Sequence, residues 1–315
     1  MSQTAYSVLN INSAEYYPNH KHQDNIGLPL IIIENAVAKL VISEQGAQVL
    51  SFIAKDKSDL LWLSPLANFR QGKAVRGGIP VCLPWFGVNQ RAPEKPSHGF
   101  ARNTDWSLSS IEHIGDKLNN GFTKIVFELA QFKNTAHPLF ESPFHVKLVY
   151  LMGEQLSIEM QLSNTGNKNF FLSWAMHSYH PVNDISSTRI IGLDGCEYLD
   201  NTRELKRCTQ QGDVIFNDEV DRVYINVGET QIIRQANTVA DVVGKNTNEI
   251  RVDAKGCNSA IVWNPGLEKA TTMLDLGGQN YHQFVCVERG NSFDNEIDLA
   301  AGKVHKASII FSSHD

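Results

Sequence analysis

Lys73-Ala74-Val75-Arg76-Gly77-Gly78-Ile79-Pro80 sets a cation before two glycines, which let the backbone bend and come close to a ligand, and then a proline that stiffens the exit. Further along, Ser97-His98-Gly99-Phe100-Ala101-Arg102-Asn103 puts a second cation beside a His-Gly pair. Two guanidinium forks converging on one site suit a phosphate, because each donates paired hydrogen bonds to its oxygens. The alternative for Arg76 and Arg102 is a solvated surface or a structural ion pair. Between them, Trp85 and Phe86 in Val81-Cys82-Leu83-Pro84-Trp85-Phe86-Gly87 offer rings that either stack on the C–H face of a sugar or pack in a core.

Trp174-Ala175-Met176-His177-Ser178-Tyr179-His180 holds two histidines three positions apart. On a helix they would share a face and suggest a metal site; on a strand, which Phe170–Met176 reads as, an odd separation sends them to opposite faces. One of the two then looks into any given pocket, as a structural residue or as a proton carrier. His282-Gln283-Phe284-Val285-Cys286-Val287-Glu288 is an apolar strand that ends in a carboxylate. An ionisable group there is costly unless paired or exposed, so Glu288 is a rim residue or a functional acid or base. By the same standard Asp200 and Asp221 are ordinary turn or strand-edge acids. The chain has no G-x-G-x-x-G fingerprint, P-loop, H-E-x-x-H pair, G-x-S-x-G elbow or EF-hand loop. Cys82, Cys196, Cys208, Cys257 and Cys286 are scattered without a C-x-x-C pair and read as reduced, small core residues.

The elements that must position these groups are strands. Leu156, Ile158, Met160 and Leu162 alternate with Ser157, Glu159, Gln161 and Ser163, the period of a half-buried strand. Phe144–Leu148 starts the same pattern upstream of a Gly153-Glu154 turn, which predicts an antiparallel hairpin. Further strands are expected at Leu30–Glu34, Ala38–Ser43, Lys124–Leu129, Phe170–Met176, Arg222–Val227, Ala260–Trp263, Gln283–Glu288 and Ser308–Phe311. Helical candidates are short turns such as Pro65–Phe69. The fold expected is an all-β antiparallel sandwich, one domain over residues 1–315, with residues 1–24 an edge strand or a loose arm.

Its 315 residues are 42% hydrophobic and 20% charged, enough for a sizeable core and unlike a disordered chain. Lys+Arg 28 against Asp+Glu 34 gives a net charge of -6, which argues against a broad electrostatic grip on nucleic acid or anionic membrane. An anionic ligand would depend on a few placed arginines. No run approaches the roughly 20 apolar residues of a membrane span, and the first residues lack the basic and apolar regions of a secretory signal, so a cytoplasmic protein is expected.

Taken in order, Arg76-Gly-Gly-Ile-Pro80, Leu83-Pro-Trp-Phe-Gly87, His98-Gly-Phe-Ala-Arg102-Asn103, His177-Ser-Tyr179, Val262-Trp-Asn-Pro265 and Phe284-Val-Cys-Val-Glu288 resemble the glucose-6-phosphate 1-epimerase branch of the aldose 1-epimerase (galactose mutarotase-like) family. The resemblance implies a large β-sandwich with a sugar site on its concave face, a hexose phosphate as partner and no metal or organic cofactor. A monomer or weak homodimer is expected. It implies His177 as general acid, Glu288 as general base and Arg76 and Arg102 as phosphate ligands. His98, with Phe86 beside it, would line the sugar site, and Asp200 matches an acidic position closing Gly195-Cys-Glu-Tyr-Leu-Asp200. The chain departs from the family pattern at Glu288-Arg289-Gly290, where Glu-Pro-Gly is usual, and at Trp263-Asn264-Pro265-Gly266, where a second tryptophan is usual. Two alternatives follow. A mutarotase of free aldoses is favoured if the arginines point away from the His177–Glu288 cleft, and a carbohydrate-binding module without turnover is favoured if those two groups do not face one cavity.

Overall fold

The structure is a computed structural model that describes residues 5–22, 26–115, 121–132, 137–236 and 247–314. Along Leu156–Asn164 the odd-numbered neighbours are half-exposed while Leu156, Ile158, Met160 and Leu162 are buried, as the alternation predicts. This strand pairs antiparallel with Phe144–Met152, Tyr150 standing opposite Ile158. Phe122–Gln131 and Ser107–Ile114 extend the sheet on one side; Val304–His314, Thr247–Lys255, Thr230–Ala236 and Thr188–Ile191 complete eight strands on the other.

A second large sheet runs in the order Lys206–Thr209, Glu197–Asp200, Val220–Ile225, Ser259–Asn264, Phe284–Asn291, Trp174–Met176 and Val81–Cys82, with Tyr179–Pro181 also paired to Phe284–Asn291. One face of it, carrying Tyr224, Val262, Val285 and Val287, packs into a single cluster with Tyr150, Ile158, Met160, Ile309 and Phe311 of the first sheet. That burial, at roughly 25 cal/mol per Å² of apolar surface, is the main force holding the sandwich together. The opposite face is left to carry the site. A four-stranded sheet of Tyr6–Asn12, Pro29–Asn35, Ala38–Ser43 and Gln48–Ala54 flanks the pair, with Tyr6–Asn12 at its edge. Residues 1–4 and 23–24 of the expected N-terminal segment lie outside the described residues.

Three expectations need correction. Pro65–Phe69 is no helical turn: a turn leads into the two-residue strand Asn68–Phe69, which pairs with Lys21–His22. The longer α-helix is Gly266–Thr272, and it starts where the family pattern has a tryptophan. Gly266 has φ +63°, and a Cβ there would lie 2.8 Å from the Glu219 nitrogen, so the backbone turn itself calls for glycine. Finally, the strand does not stop at Glu288 but continues to Asn291. Arg289, where a turn-forming proline was the reference, points the other way into the core, 1% exposed. Its guanidinium donates to the carbonyls of Ser259, Glu229 and Cys257 and to the Gln231 side chain, tying the two large sheets together.

Candidate active site

Glu288 is held mid-strand, with Ile261 opposite it on one side. On the other side the partner chain is interrupted: Trp174–Met176 pairs with Arg289–Asn291, Tyr179–Pro181 pairs with Phe284–Cys286, and His177-Ser178 forms the link between them. Ser178 secures that link by donating its hydroxyl to the Val287 carbonyl at 2.8 Å. His177 is thereby set beside Glu288, Nδ1 to Oε1 3.4 Å. His180, by contrast, is buried in the core with Nδ1 against the Leu60 carbonyl and its ring beside Phe311. The two histidines do go to different sides.

Both members of the pair are almost fully enclosed, His177 at 8% and Glu288 at 1% exposure, and His177 Nδ1 and Glu288 Oε2 are buried without a hydrogen-bond partner. Burial pushes the imidazole well below its ordinary range, reinforced by His98, Arg102 and Arg76 nearby. Burial likewise holds the Glu288 carboxyl well above the usual carboxylate range, Asp221 adding to the effect and Arg102 opposing it. Rings complete the enclosure. Tyr179 stacks on His177 at 4.8 Å and Trp263 meets it edge-on at 5.8 Å.

His98 lies 5.9 Å from His177, ring to ring, and 4.9 Å from Phe86. The Gly87 amide donates to His98 Nδ1, which fixes the tautomer with the proton on Nε2. Burial and the neighbouring Arg102 and Arg76 bring this imidazole down to about 3, so it is neutral. Arg76 donates Nη1 to the Tyr179 hydroxyl at 3.0 Å and its Nε and Nη2 to Asp275. Arg102 gives Nη2 to the Ser97 carbonyl, while its Nε is buried and unpartnered. Both arginines line one basin of about 450 Å³ together with Arg70, Lys73 and Tyr179. Because Tyr179 also covers His177, the basin adjoins the His177–Glu288 pair.

Asp200 does not join this group. Its cross-strand partner is Arg222, which continues across the sheet to Val262 and Val287 on the core-facing side, and its Oδ1 accepts from the Thr202 amide and hydroxyl. The acid on the Glu288 side is Asp221, in register with Trp263 and Cys286. Its carboxyl is raised by burial and accepts from Asn201 at 2.8 Å. Neither the face of Asp221 nor the presence of Asp275 was legible from spacing, since register sets the first and a loop 199 positions from Arg76 supplies the second.

The open sheet face of the sandwich thus holds an enclosed imidazole–carboxyl pair beside a cationic basin, and comparison with known proteins gives the class of protein to which this arrangement belongs. The aldose 1-epimerase family profile matches residues 29–312, and the chain belongs to that family. It is 32% identical over 273 residues to a Cenchrus ciliaris protein named as a candidate glucose-6-phosphate 1-epimerase, covering 85% of this chain and 79% of the relative. An Escherichia coli protein with the same name is 30% identical over 284 residues, covering 90% of each. Among solved structures, a candidate mutarotase from Salmonella typhimurium superposes with a TM-score of 0.79 at 29% identity, covering 92% of this chain and 91% of that one. A galactose mutarotase-like protein from Lactobacillus casei, 15% identical with a TM-score of 0.64 over 90% of this chain and 100% of its own, shares the fold. No helix among the described residues is long and apolar enough to cross a membrane.

Proposed function

We propose that the chain interconverts the α and β anomers of a hexose 6-phosphate, glucose 6-phosphate being the substrate favoured by the names of its relatives. The observation that carries this reading is the convergence of Arg76 and Arg102 on one basin that adjoins the His177–Glu288 pair through Tyr179. Glu288 removes the proton of the C1 hydroxyl while His177 gives a proton to the ring oxygen, the C1–O5 bond breaks and C1 becomes a carbonyl. Rotation about C1–C2 exposes the other carbonyl face, and the same two transfers in reverse close the ring with inverted configuration.

The pair carries one proton either as imidazole with carboxylic acid or as imidazolium with carboxylate, and ring opening in this direction uses the second form. Burial favours the first form; Arg102 stabilises the carboxylate of the second but opposes its imidazolium, so the hydroxyls of a bound sugar are what favour the second form. His98, with its Nε2 proton, donates to a sugar oxygen, Phe86 supports His98, and Asp221 rather than Asp200 accepts from a sugar hydroxyl. The phosphate contributes position: held by Arg76 and Arg102, it fixes the ring between acid and base. The five unpaired cysteines suit a reducing, cytoplasmic setting, and both proton carriers come from one chain, so a monomer suffices.

The test is anomer exchange measured by NMR on glucose 6-phosphate and on free glucose with Arg76→Ala and Arg102→Ala. The proposal expects each variant to lose at least about tenfold more kcat/KM on the phosphate ester, the worth of one charge-assisted contact of roughly 1.5–3 kcal/mol. Equal losses on both sugars would make the arginines structural and return the reading to a mutarotase of free aldoses.

A further inference from the structure

The site holds a third group that the proton transfers leave unused. Cys286 stands two residues before Glu288 on the same face of the strand, and among the described residues His177, Cys286 and Glu288 bring one ligand atom each to within 4.8 Å of one another. Imidazole, thiolate and carboxylate are the donor set of a zinc site with three protein ligands and an open position. The His177 Nδ1 to Glu288 Oε1 separation of 3.4 Å is already that of two ligands on one tetrahedral ion with bonds of about 2.0–2.1 Å. The second observation is independent of that spacing. Nδ1 of His177 is a buried polar atom with no hydrogen-bond partner, an expensive arrangement that a bound cation relieves, and Glu288 Oε2, also unpartnered, is relieved where the carboxylate binds through both oxygens. A divalent ion bound as thiolate and carboxylate by Cys286 and Glu288 would be charge-neutral, and Asp221 lies on the same face of the sheet.

We infer that His177, Cys286 and Glu288 form an inhibitory site for a thiophilic divalent cation such as zinc, which switches the enzyme off by occupying the proton-transfer pair. Binding replaces the Cys286 S–H bond with a metal–sulfur bond and sends that proton to solvent; where Glu288 holds the proton of the pair, that proton leaves too. No electron is transferred. The inhibitory role rests on the mutarotase reading above, whereas the binding site does not.

The probe is Co²⁺, titrated into protein in which Cys196→Ser and Cys208→Ser remove the two half-buried thiols. One equivalent is expected to give a sulfur-to-cobalt charge-transfer band in the near ultraviolet, and Zn²⁺ to displace it. Adding Cys286→Ser is expected to abolish the band and weaken Zn²⁺ binding about 100-fold or more, since even an outer-shell partner of a metal ligand costs 10–100-fold. Cys286→Ala and a far-ultraviolet dichroism spectrum separate a lost ligand from a lost fold. Absence of the band in folded parent protein, or its survival in folded Cys286→Ser, overturns the site. Anomer exchange is measured in parallel: full activity with EDTA that falls with zinc occupancy supports the inhibitory role, and full activity with the site loaded overturns it. Protein that binds cobalt but is inactive in EDTA leaves the metal site standing and defeats the mutarotase reading.

Discussion

Paired groups of opposite proton affinity, enclosed and 3.4 Å apart, make His177 and Glu288 a unit. His177→Asn and Glu288→Gln are each expected to reduce anomer exchange by about 10²–10⁴-fold with dichroism unchanged, and the double variant is expected to lose little more than either alone. NMR exchange rates on the three proteins check this; independent, multiplicative losses would mean that the two do not share one step. At this scale the residue types and motifs were legible, because Arg76, Arg102, His98, His177 and Glu288 stand in segments with recognisable neighbours. Asp200 and Asp221 were not separable, since each is an acid beside alternating strand residues and only strand register assigns its face. Asp221→Asn is expected to weaken sugar binding more than Asp200→Asn, which KM for both substrates measures directly.

The element that matters most is Phe284–Asn291, because its neighbour's interruption is what delivers His177 to Glu288. Arg289 has four acceptors, and two of them, the Glu229 carbonyl and the Gln231 side chain, anchor that strand to the opposite sheet. Arg289→Met removes the donors and leaves the Ser259, Cys257 and Gln231 acceptors buried, at about 1–3 kcal/mol for each one orphaned, so urea unfolding is expected to show a loss of several kcal/mol. A midpoint close to that of the parent would show that the interface rehydrates at no cost. Gly78 tests the loop that carries Arg76. Its φ is +62°, and a Cβ would lie 2.1 Å from the Val49 carbonyl, so Gly78→Ala is expected to cost more than the about 1–3 kcal/mol of left-handed strain alone and to displace Arg76. The glycine pair was readable as a close approach; what it approaches, the Gln48–Ala54 strand, depends on packing between sheets that local spacing does not encode. Apolar runs marked the strands well, whereas the Gly266–Thr272 helix is too short and too exposed to show a sustained apolar stripe.

For the molecule as a whole, three histidines whose folded environment disfavours protonation make the fold acid-sensitive. Burial is the leading cause that lowers His98 to about 3 and His180 and His305 to about 4. The unfolded chain takes up protons at these groups as pH falls through about 6.5, while the folded chain resists until about 3–4, so the stability present above about pH 6.5 is lost progressively as pH falls toward about 3–4. The expected slope is up to about 1.4 kcal/mol per pH unit for each histidine, and His180→Gln should flatten it if its own burial is not disturbed. Urea midpoints between pH 7 and 4 decide, and a flat profile would contradict the buried neutral state. The overall antiparallel sandwich was legible from period-two alternation and the lack of long helical stripes. The union of basin and proton pair was not, because it joins segments from Arg76 to Glu288 through Tyr179.

That union is tested most directly by two-dimensional NMR magnetisation exchange between the α and β anomers of glucose 6-phosphate in the presence of the protein, with free glucose as the reference. Exchange cross-peaks that grow with protein concentration, are stronger for the phosphate ester, and vanish with His177→Asn are the expected result. Rates equal to the uncatalysed reaction, or unchanged by His177→Asn, would contradict the assignment of anomer exchange to this site.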